Sequence, residues 1–261
     1  MFPTSTDQFE VRLARDNNEI LAAQRLRYKV FIEEFGASLP KNDKNERLER
    51  DKFDQYCDHL ILIDKWSKNN NDGPPVVGTM RLMDSTVAEK ALGFYSATEY
   101  HLDKLVAKHK NSLEVGRACV DKKYRASIAM HFLWLGLADF VINRNVTLMF
   151  GVASFNGHNV LQFGSALTLL KEKFSAPEAL GFKARAVGYI GMNIIPLDLL
   201  DQKKAMAQMP SLLKAYLRMG ARISDGAYFD SQFNTIDVGV MMLTDLMNSK
   251  YKERYGRVRK K

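Results

Sequence analysis

The stretch Ser112–Phe155 constrains the fold of this chain most, because it reads as strand, basic turn, long helix and second strand. A strand-length apolar run (SLEVGRACV) is followed by the basic cluster DKKYR, by apolar residues at helical spacing over 128–142, and by a second apolar run (LMFGVASF). Two strands joined through a helix of this size fit a parallel pair with a right-handed crossover. The sequence therefore predicts an α/β (α+β) fold in which helices flank a mixed central sheet.

A carboxylate interrupts the first of these strands. Glu114 lies between Leu113 and Val115, which both favour burial. One interpretation is a solvent-facing position on an edge strand; the other is a carboxylate in a dry cleft, suited to act as a general base. In a regular strand Glu114 and Arg117 point to opposite faces, but the intervening Gly116 is a common mark of a bulge or of close approach by another group. We therefore expect a distorted strand that turns both charged groups toward one cleft.

Composition narrows the class of protein. With 261 residues, 46% of them hydrophobic, and no convincing linker, the chain is predicted to form one continuous domain over 1–261 with a basic tail at about 250–261. No apolar stretch reaches the length of a membrane span, the N-terminus lacks a signal pattern, and the two cysteines lack metal or redox spacing. We expect a protein of the reducing cytoplasm that binds no metal.

The net charge of +8 favours an acidic partner, whether nucleic acid, anionic lipid or an acidic protein. Part of the surplus is concentrated in the tail KYKERYGRVRKK. Such a tail is either a solvated end or a peripheral contact with the anionic inner face of the cytoplasmic membrane.

Arg27 and Phe31 are the first candidate site residues. They lie four residues apart, on one face of a helix predicted to begin at Asn17 or Asn18 and to stop at Gly36. Without other signals, this pair would be the edge of an ordinary amphipathic helix.

A polar loop and a charged strand position supply three more candidates. Segment 37–56 has no sustained period, which is typical of a lid or binding loop but also of a solvated charge run. Asp51 and Asp54 close this loop just before a predicted hairpin, 59–66 with 76–83. Arg81 lies in the second strand of that hairpin, where a charge needs a partner. Glu114 or an aspartate of the preceding loop would serve.

The second half of the chain continues with a helix predicted at 160–174, a strand at 182–190 and a helix opened by Pro210. The Asp225-Gly226 pair predicts a turn, and the last strand is expected at 239–243, preceded by FNTIDV.

Five segments together resemble the hallmark series of bacterial acyl-homoserine-lactone synthases, members of the GNAT class of N-acyltransferases: RYKVF, RDKFD, CDHLIL, VVGTMRLM and LEVGRACV. The spacing within the pairs Asp51/Asp54 and Glu114/Arg117 is that of the family. Matching positions are Arg27, Phe31, Asp51, Asp54, Arg81, Glu114 and Arg117. Ala37 departs from the pattern, because many lactone synthases have a tryptophan there.

Other segments resemble the L-ornithine Nα-acyltransferases of bacterial ornithine-lipid biosynthesis and their glutamine-using relatives. These segments are FYSATEY, LEVGRACVDKKYR, MFGVASFNG, MPSLLKAYLRMGARISDGA and QFNTIDV, and the resemblance covers roughly residues 27–240. Ala118 stands where that family usually has serine, so no role is assigned to it. The resemblance implies a GNAT-like fold with a C-terminal elaboration.

The activity implied by this resemblance is transfer of a 3-hydroxyacyl group from acyl carrier protein to the α-amine of an amino acid, ornithine above all. An amine that attacks a thioester must first lose its proton, and Glu114 is the expected base, directly or through water. Arg117 or Arg81 would orient it or hold the substrate carboxylate. Asp51 and Asp54 would bind the substrate's cationic end or order the lid, with Arg27 and Phe31 also in the substrate site.

Two further groups complete the expected site. The backbone N–H groups around Ser154 are expected to polarise the thioester carbonyl as an oxyanion site. Asn234, in the FNTID segment, would bind the amino-acid head group, although an asparagine that stabilises a turn fits equally well.

The carrier is expected to meet the basic turn after the first strand. GNAT enzymes that use coenzyme A usually have a glycine-rich loop here, whereas this chain has VDKKYRASI. The turn therefore fits the single phosphate of a phosphopantetheine arm, and Lys122, Lys123 and Arg125 would meet the carrier's acidic surface. An ordinary basic turn is the alternative. The expected co-substrate is therefore acyl carrier protein, and no bound cofactor is expected. A downstream O-acyltransferase would use the product.

A glutamine-specific enzyme is a variant of this N-acyltransferase. Two other functions compete with it. One is an acyl-homoserine-lactone synthase, which uses S-adenosylmethionine on the same fold. The other is a basic module that binds membranes or nucleic acid. The charged residues lie inside predicted strands rather than on an exposed basic face with aromatics, which argues against nucleic acid.

Overall fold

The computed structural model describes residues 4–38, 41–67, 73–125 and 127–248. The basic tail at about 250–261, with its predicted membrane contact, lies outside the described residues. The chain forms two compact units. Unit 1 contains the described residues before Gly93 together with Val115–Val146, and unit 2 contains Gly93–Glu114 and 147–248. The prediction of one continuous domain stays a prediction.

The described residues form ten strands and eight α-helices. The strands are β1 Phe9–Leu13, β2 Asp58–Asp64, β3 Val76–Asp84, β4 Tyr100–His101, β5 Ser112–Val120, β6 Leu148–Asn156, β7 Lys183–Ala184, β8 Tyr189–Ile190, β9 Arg222–Asp230 and β10 Thr235–Leu243. The α-helices are α1 Asn17–Arg27, α2 Lys41–Glu46, α3 Ser85–Ala88, α4 Asp103–Ala107, α5 Ala129–Asn143, α6 Gly164–Phe174, α7 Gln202–Gln208 and α8 Ser211–Met219.

Unit 1 is built on the antiparallel strands β1, β2 and β3, with β5 next to β3 in the strand order. Helix α5 packs on β1, β2 and β3. A close approach at Gly136 makes this packing possible: a Cβ there would lie 2.7 Å from Val11 Cγ2 and 2.9 Å from Leu60 Cδ1. The apolar residues all round α5 are therefore explained by burial.

Unit 2 is built on β6, β10 and β9, which pair antiparallel over most of their length. Ser112–Glu114 of β5 pairs parallel with Leu148–Phe150 of β6, so the predicted parallel pair is confirmed. Strand β8 pairs with β9, and the short β7 links β9 to β4. The mixed sheet with flanking helices confirms the predicted fold class.

Three local predictions need correction. The helix begins after Asp16, whose side chain accepts the Glu19 N–H, rather than at an asparagine cap, and α1 continues as a π-helix over Tyr28–Glu34. Residues 182–190 do not form one strand but two short strands around a 3₁₀ turn. Gly226 lies inside β9 with φ +80°, so the Asp-Gly pair marks a distortion within a strand and not a turn.

None of the helices in the described part of the chain is both long enough and apolar enough to cross a membrane.

Candidate active site

An ion network in unit 1 brings together most of the predicted charged residues. It consists of three arginines and three carboxylates: Arg27, Arg81, Arg117, Glu49, Asp51 and Asp54. Helix α1 supplies Arg27, strands β3 and β5 supply the other two arginines, and the segment before β2 supplies the carboxylates. The three positive and three negative charges balance within the network.

Arg81 and Arg27 share a carboxylate in this network. Arg81 Nη1 donates to Asp51 Oδ1 at 2.7 Å and to Asp54 Oδ1 at 2.8 Å. Arg27 Nη1 donates to the same Asp54 oxygen at 3.0 Å, and its Nε donates to Glu49. The expectation that Arg81 pairs with an aspartate of the preceding loop is confirmed. Because Arg27 is only 1% exposed, these ionic bonds compensate for a buried guanidinium.

Arg117 completes the network from β5. Its Nε donates to Glu49 Oε1 and its Nη2 to Asp51 Oδ2, both at 3.1 Å. Arg117 has φ +51°, in the left-handed region that costs a non-glycine residue about 1 kcal/mol. The expected strand distortion is confirmed at Arg117 rather than at Gly116, where a Cβ would meet nothing within 4 Å. That it turns Glu114 and Arg117 toward one cleft stays a prediction.

Burial and charge compete at the carboxylates of the network. Burial alone would raise the pKa of Asp54, but Arg27 and Arg81 outweigh it and hold that pKa well below its usual range. The pKa of Glu49 is lowered in the same way, against its burial, by Arg27 and Arg117. Burial lowers the pKa of His59, whose Nε2 donates to the Asp54 carbonyl oxygen at 3.0 Å. The network is therefore ionised around a neutral histidine.

Glu114 lies in unit 2 and is buried, with 5% of its surface exposed. Both carboxylate oxygens accept backbone bonds from the start of a 3₁₀ turn: Tyr95 N–H donates to Oε2 at 2.8 Å and Ser96 N–H to Oε1 at 2.6 Å. The solvent-facing interpretation of Glu114 is thereby excluded. Each oxygen keeps a second lone pair, so the carboxylate can still accept a proton or a water hydrogen bond.

Glu114 is the last residue of β5 that pairs with the parallel strand β6. It pairs with Phe150, and β6 then continues to Asn156 with β10 as its partner. Successive residues of a strand direct their backbone groups to alternate sides, so part of the N–H groups near Val152 and Ser154 point away from β10. Ser154 is exposed on this segment. Its predicted contribution to an oxyanion site stays a prediction.

The other predicted substrate residues occupy less distinctive positions. Phe31 is half-buried and packs on Leu26, Val30 and Cys119. Asn234 is exposed at the turn between β9 and β10 with φ +51°, a conformation that asparagine adopts readily, and its Oδ1 lies 3.1 Å from His158 Nδ1. This geometry is that of a turn-stabilising asparagine.

The three basic residues predicted to meet the carrier lie together after β5. Lys122 and Lys123 are exposed in a 3₁₀ turn that Asp121 caps through the Lys123 N–H. Arg125 binds Glu34 with both terminal nitrogens, at 2.6 and 2.7 Å. Two exposed lysines thus stand on a fixed turn, while the arginine already has a carboxylate partner.

Several polar residues of these sites were not predicted from the sequence. Glu49 and Gln24 join the ion network, Gln24 through a 2.8 Å bond from Nε2 to Asp54 Oδ2. The position of Glu49, two residues before Asp51, was the available signal. In unit 2, the buried carboxylates of Glu99, Asp230 and Asp237 have oxygens within 4.8 Å of one another. Because Glu99 is far from the two aspartates along the chain, no local sequence pattern indicates this cluster.

A cleft of about 740 Å³ also opens in unit 2. Lysines 104, 171 and 183 line it together with Asp225, and none of the predicted site residues takes part. The candidate site is therefore defined by buried charge and strand geometry rather than by this cleft.

Known proteins share the fold described above. Residues 26–135 match the model of the acetyltransferase (GNAT) domain. The structure of FeeM, an N-acyl amino acid synthase from uncultured soil microbes, has a TM-score of 0.52 at 11% identity, covering 92% of this chain and 93% of that one. The likeness to FeeM supports the fold. A GNAT acyltransferase is thus the class that fold and site define.

Sequence relatives narrow this class. An L-ornithine N(alpha)-acyltransferase of Rhodobacter capsulatus is 43% identical over 249 residues, which are 95% of each chain. One from Brucella abortus is 38% identical and covers 95% of this chain and 88% of the relative. This chain belongs to the L-ornithine Nα-acyltransferase family.

Proposed function

We propose that this chain transfers a 3-hydroxyacyl group from the phosphopantetheine thioester of acyl carrier protein to the α-amine of ornithine. The observation that supports the reaction is Glu114, a carboxylate buried where β5 parts from β6 and held by two backbone amides. The relatives named for ornithine acylation support the choice of amine. The product would be the N-acylated amino acid from which ornithine lipid is made.

The chemistry requires a proton acceptor, because an ammonium cannot attack a thioester. Glu114, directly or through a water molecule, takes a proton from the α-ammonium. The amine then forms a C–N bond to the carbonyl carbon, the C–S bond breaks, and the carrier's thiol leaves with a proton. Backbone N–H groups of β6 between Val152 and Ser154 stabilise the negative charge that develops on the carbonyl oxygen.

The ion network has a supporting part in this proposal. Asp51 and Asp54 already bind arginines, so ordering the segment before β2 fits them better than holding a substrate cation. The paired guanidinium of Arg117 keeps β5 in its distorted course just after Glu114. The predicted role of Arg117 or Arg81 in orienting Glu114 or holding the substrate carboxylate stays a prediction.

Lys122, Lys123 and Arg125 are the proposed contact for the acidic carrier. The product is an amphiphile, so we further propose that the enzyme works at the inner face of the cytoplasmic membrane. There the basic tail would contact anionic lipid, and an O-acyltransferase would take over the product.

The experiment combines purified chain, 3-hydroxyacyl carrier protein and ornithine, and follows both N-acylornithine by mass spectrometry and release of the carrier thiol. We expect the two products in equal amounts. Parallel reactions with glutamine and with S-adenosylmethionine serve as comparisons. An acylated glutamine or a lactone formed faster than N-acylornithine would contradict the proposal.

A further inference from the structure

The carboxylates of Glu99, Asp230 and Asp237, here called the acid triad, form a second buried charge cluster, separate from the ion network. Their residues are 3%, 8% and 3% exposed, and one oxygen of each lies within 4.8 Å of the others. Asp230 Oδ1 also accepts the backbone N–H groups of Gln232 and Phe233, which fixes its carboxylate in place. Three carboxylate oxygens this close together form a set of ligand atoms that suits a cation.

The register of unit 2 places the triad on a defined face of the sheet. Asp237 of β10 pairs with Ser154 of β6 on one side and with Tyr228 of β9 on the other, and Asp230 lies two residues beyond Tyr228. Residues two apart, or directly opposite each other across a pair, point to the same face. The same counting puts Glu114 on this face, because its partner Phe150 lies four residues before Ser154.

A threonine hydroxyl on the same face is the second observation that points to a ligand. Thr235 is directly opposite Asp230 and two residues before Asp237, so its side chain turns toward the triad. It is 7% exposed, and its Oγ1 is buried without a hydrogen-bond partner. A hydroxyl left unbonded in a buried site costs free energy, and a ligand that bonds to it recovers that loss.

One short segment connects the triad with the proposed base. The 3₁₀ turn Tyr95–Thr98 binds Glu114 through its first amides, and Glu99 follows directly after the turn. The rise of a 3₁₀ helix places Glu99 about 6 Å beyond Ser96. Phe94 packs edge-on against Phe150 at 4.9 Å between ring centroids, which fixes the segment on this face. The distance from Glu114 to the acid triad is therefore comparable with the length of a small molecule.

We propose that the acid triad and Thr235 bind the side-chain ammonium of ornithine and leave the α-amine directed toward Glu114. An ammonium offers three N–H donors to three carboxylates. The proposal rests on the proposed function and gives Thr235 and Asp237 of the FNTID segment a role in choosing the amino acid.

The test is selectivity between ornithine and norvaline, which has the same carbon skeleton without the terminal ammonium. Wild type, Asp237→Asn and Glu99→Gln are compared by kcat/KM for both amines at saturating acyl carrier protein. Removing one partner from a buried charge pair is expected to lower the ornithine-to-norvaline ratio about 30-fold or more. The matched control is Asp225→Asn, a half-buried carboxylate that lies on β9, as Asp230 does, and pairs with lysines; this variant should keep the wild-type ratio.

Thermal unfolding with and without ornithine separates binding from a structural role. Ornithine should raise the Tm of the wild type but not that of Asp237→Asn, which lacks one of the carboxylates that bind the ammonium. Variants that lose Tm yet keep the ratio would overturn the proposal. A divalent metal ion that elemental analysis finds in the wild type but not in Asp237→Asn, and whose removal abolishes acylation of ornithine and norvaline alike, would also overturn it.

If the proposed function is wrong, the wild-type chain will acylate no amino acid. If only the present inference is wrong, the wild type will be active and the triad variants will keep its selectivity for ornithine.

Discussion

Glu114 accepts one backbone N–H bond on each oxygen, so two roles are open to it: proton acceptor and anchor of the 3₁₀ turn at 95–98. Glu114→Ala removes both roles, whereas Glu114→Gln keeps the shape but places an amide NH₂ against a backbone N–H. We expect both changes to lower kcat about 10²–10⁴-fold, the contribution of a positioned general base. Steady-state kinetics with ornithine measures the effect.

Thermal unfolding of these variants distinguishes the two roles. Loss of a base alone lowers kcat and leaves the Tm close to the wild-type value, whereas loss of the anchor for the 3₁₀ turn lowers the Tm as well. Glu178→Gln, an exposed glutamate of unit 2, is the control and should behave as wild type. Activity of Glu114→Ala within threefold of wild type would rule out catalysis by Glu114.

The ionised Asp54 should make the free energy of unfolding depend on pH. Its pKa in the folded chain lies below the value of about 3.9 expected when unfolded, because Arg27 and Arg81 overcome its burial. The stability it provides is therefore fully present well above pH 4 and is lost as the pH falls from there. Asp54→Asn should lower the free energy of unfolding at pH 7 by about 3–5 kcal/mol, because it leaves buried guanidinium groups under-compensated.

Urea unfolding between pH 3.5 and 7 checks this expectation. Stability of the wild type should fall toward acid pH, and Asp54→Asn should show a slope smaller by up to about 1.4 kcal/mol per pH unit, the effect of one proton. Asp7→Asn, exposed in the same unit, should keep the wild-type slope. Equal slopes for Asp54→Asn and wild type would mean that the arginines do not stabilise the ionised carboxylate.

Helix α5 and strand β5 each contain a glycine, and the same substitution should act oppositely on them. A Cβ at Gly136 would lie 2.7 Å from Val11 Cγ2, so Gly136→Ala overpacks the helix against the sheet. The expected cost of about 1–3 kcal/mol exceeds the gain of about 1 kcal/mol in helix propensity. Gly116→Ala meets no atom within 4 Å and should leave stability unchanged or raise it by about 0.4–1 kcal/mol.

Thermal and urea unfolding of the two variants decide the comparison, and a Gly136→Ala chain as stable as wild type would contradict the packing argument. Kinetics of Gly116→Ala adds a second readout. If this glycine exists to admit substrate rather than to relieve strain, the stable variant should still show a raised KM for the acyl carrier protein.

Elements defined by long apolar runs were predictable from the sequence. Strands β5 and β6 and helix α5 lie within one residue of their predicted bounds at each end, because burial on a sheet or a helix face imposes a period that the sequence must show. Strand β9 was missed because Asp225-Gly226 is a turn signal, whereas in the structure Gly226, with its positive φ, lies where the pairing of β9 with β10 shifts register within the strand.

The charged sites were predictable only in part. Spacing identified Arg81 and the two aspartates, but their partners depend on contacts between distant segments, as in the bond from Arg27 to Glu49. The acid triad joins residues 99, 230 and 237, which no local pattern connects. A buried charge is recognisable in sequence, whereas the group that neutralises it is a property of tertiary structure.

The charge of the whole molecule bears on its partner. A net charge of +8 would attract the proposed acidic carrier, and the exposed Lys122 and Lys123 present part of that charge beside the end of β5. The double change Lys122→Glu and Lys123→Glu should raise KM for acyl carrier protein about tenfold, mainly by slowing association. KM for ornithine should not follow, because the free amino acid does not use this surface.

Ionic strength provides the matching measurement. Added salt should raise the wild-type KM for the carrier and reduce the difference between wild type and the double variant, because exposed charges are screened over about 8 Å at 0.15 M salt. Lys90→Glu, an exposed lysine of the same unit outside the basic turn, isolates local charge from net charge. If Lys90→Glu raises KM as much as a single change at Lys122 does, attraction comes from the overall charge of the chain; if it does not, the turn itself recognises the carrier.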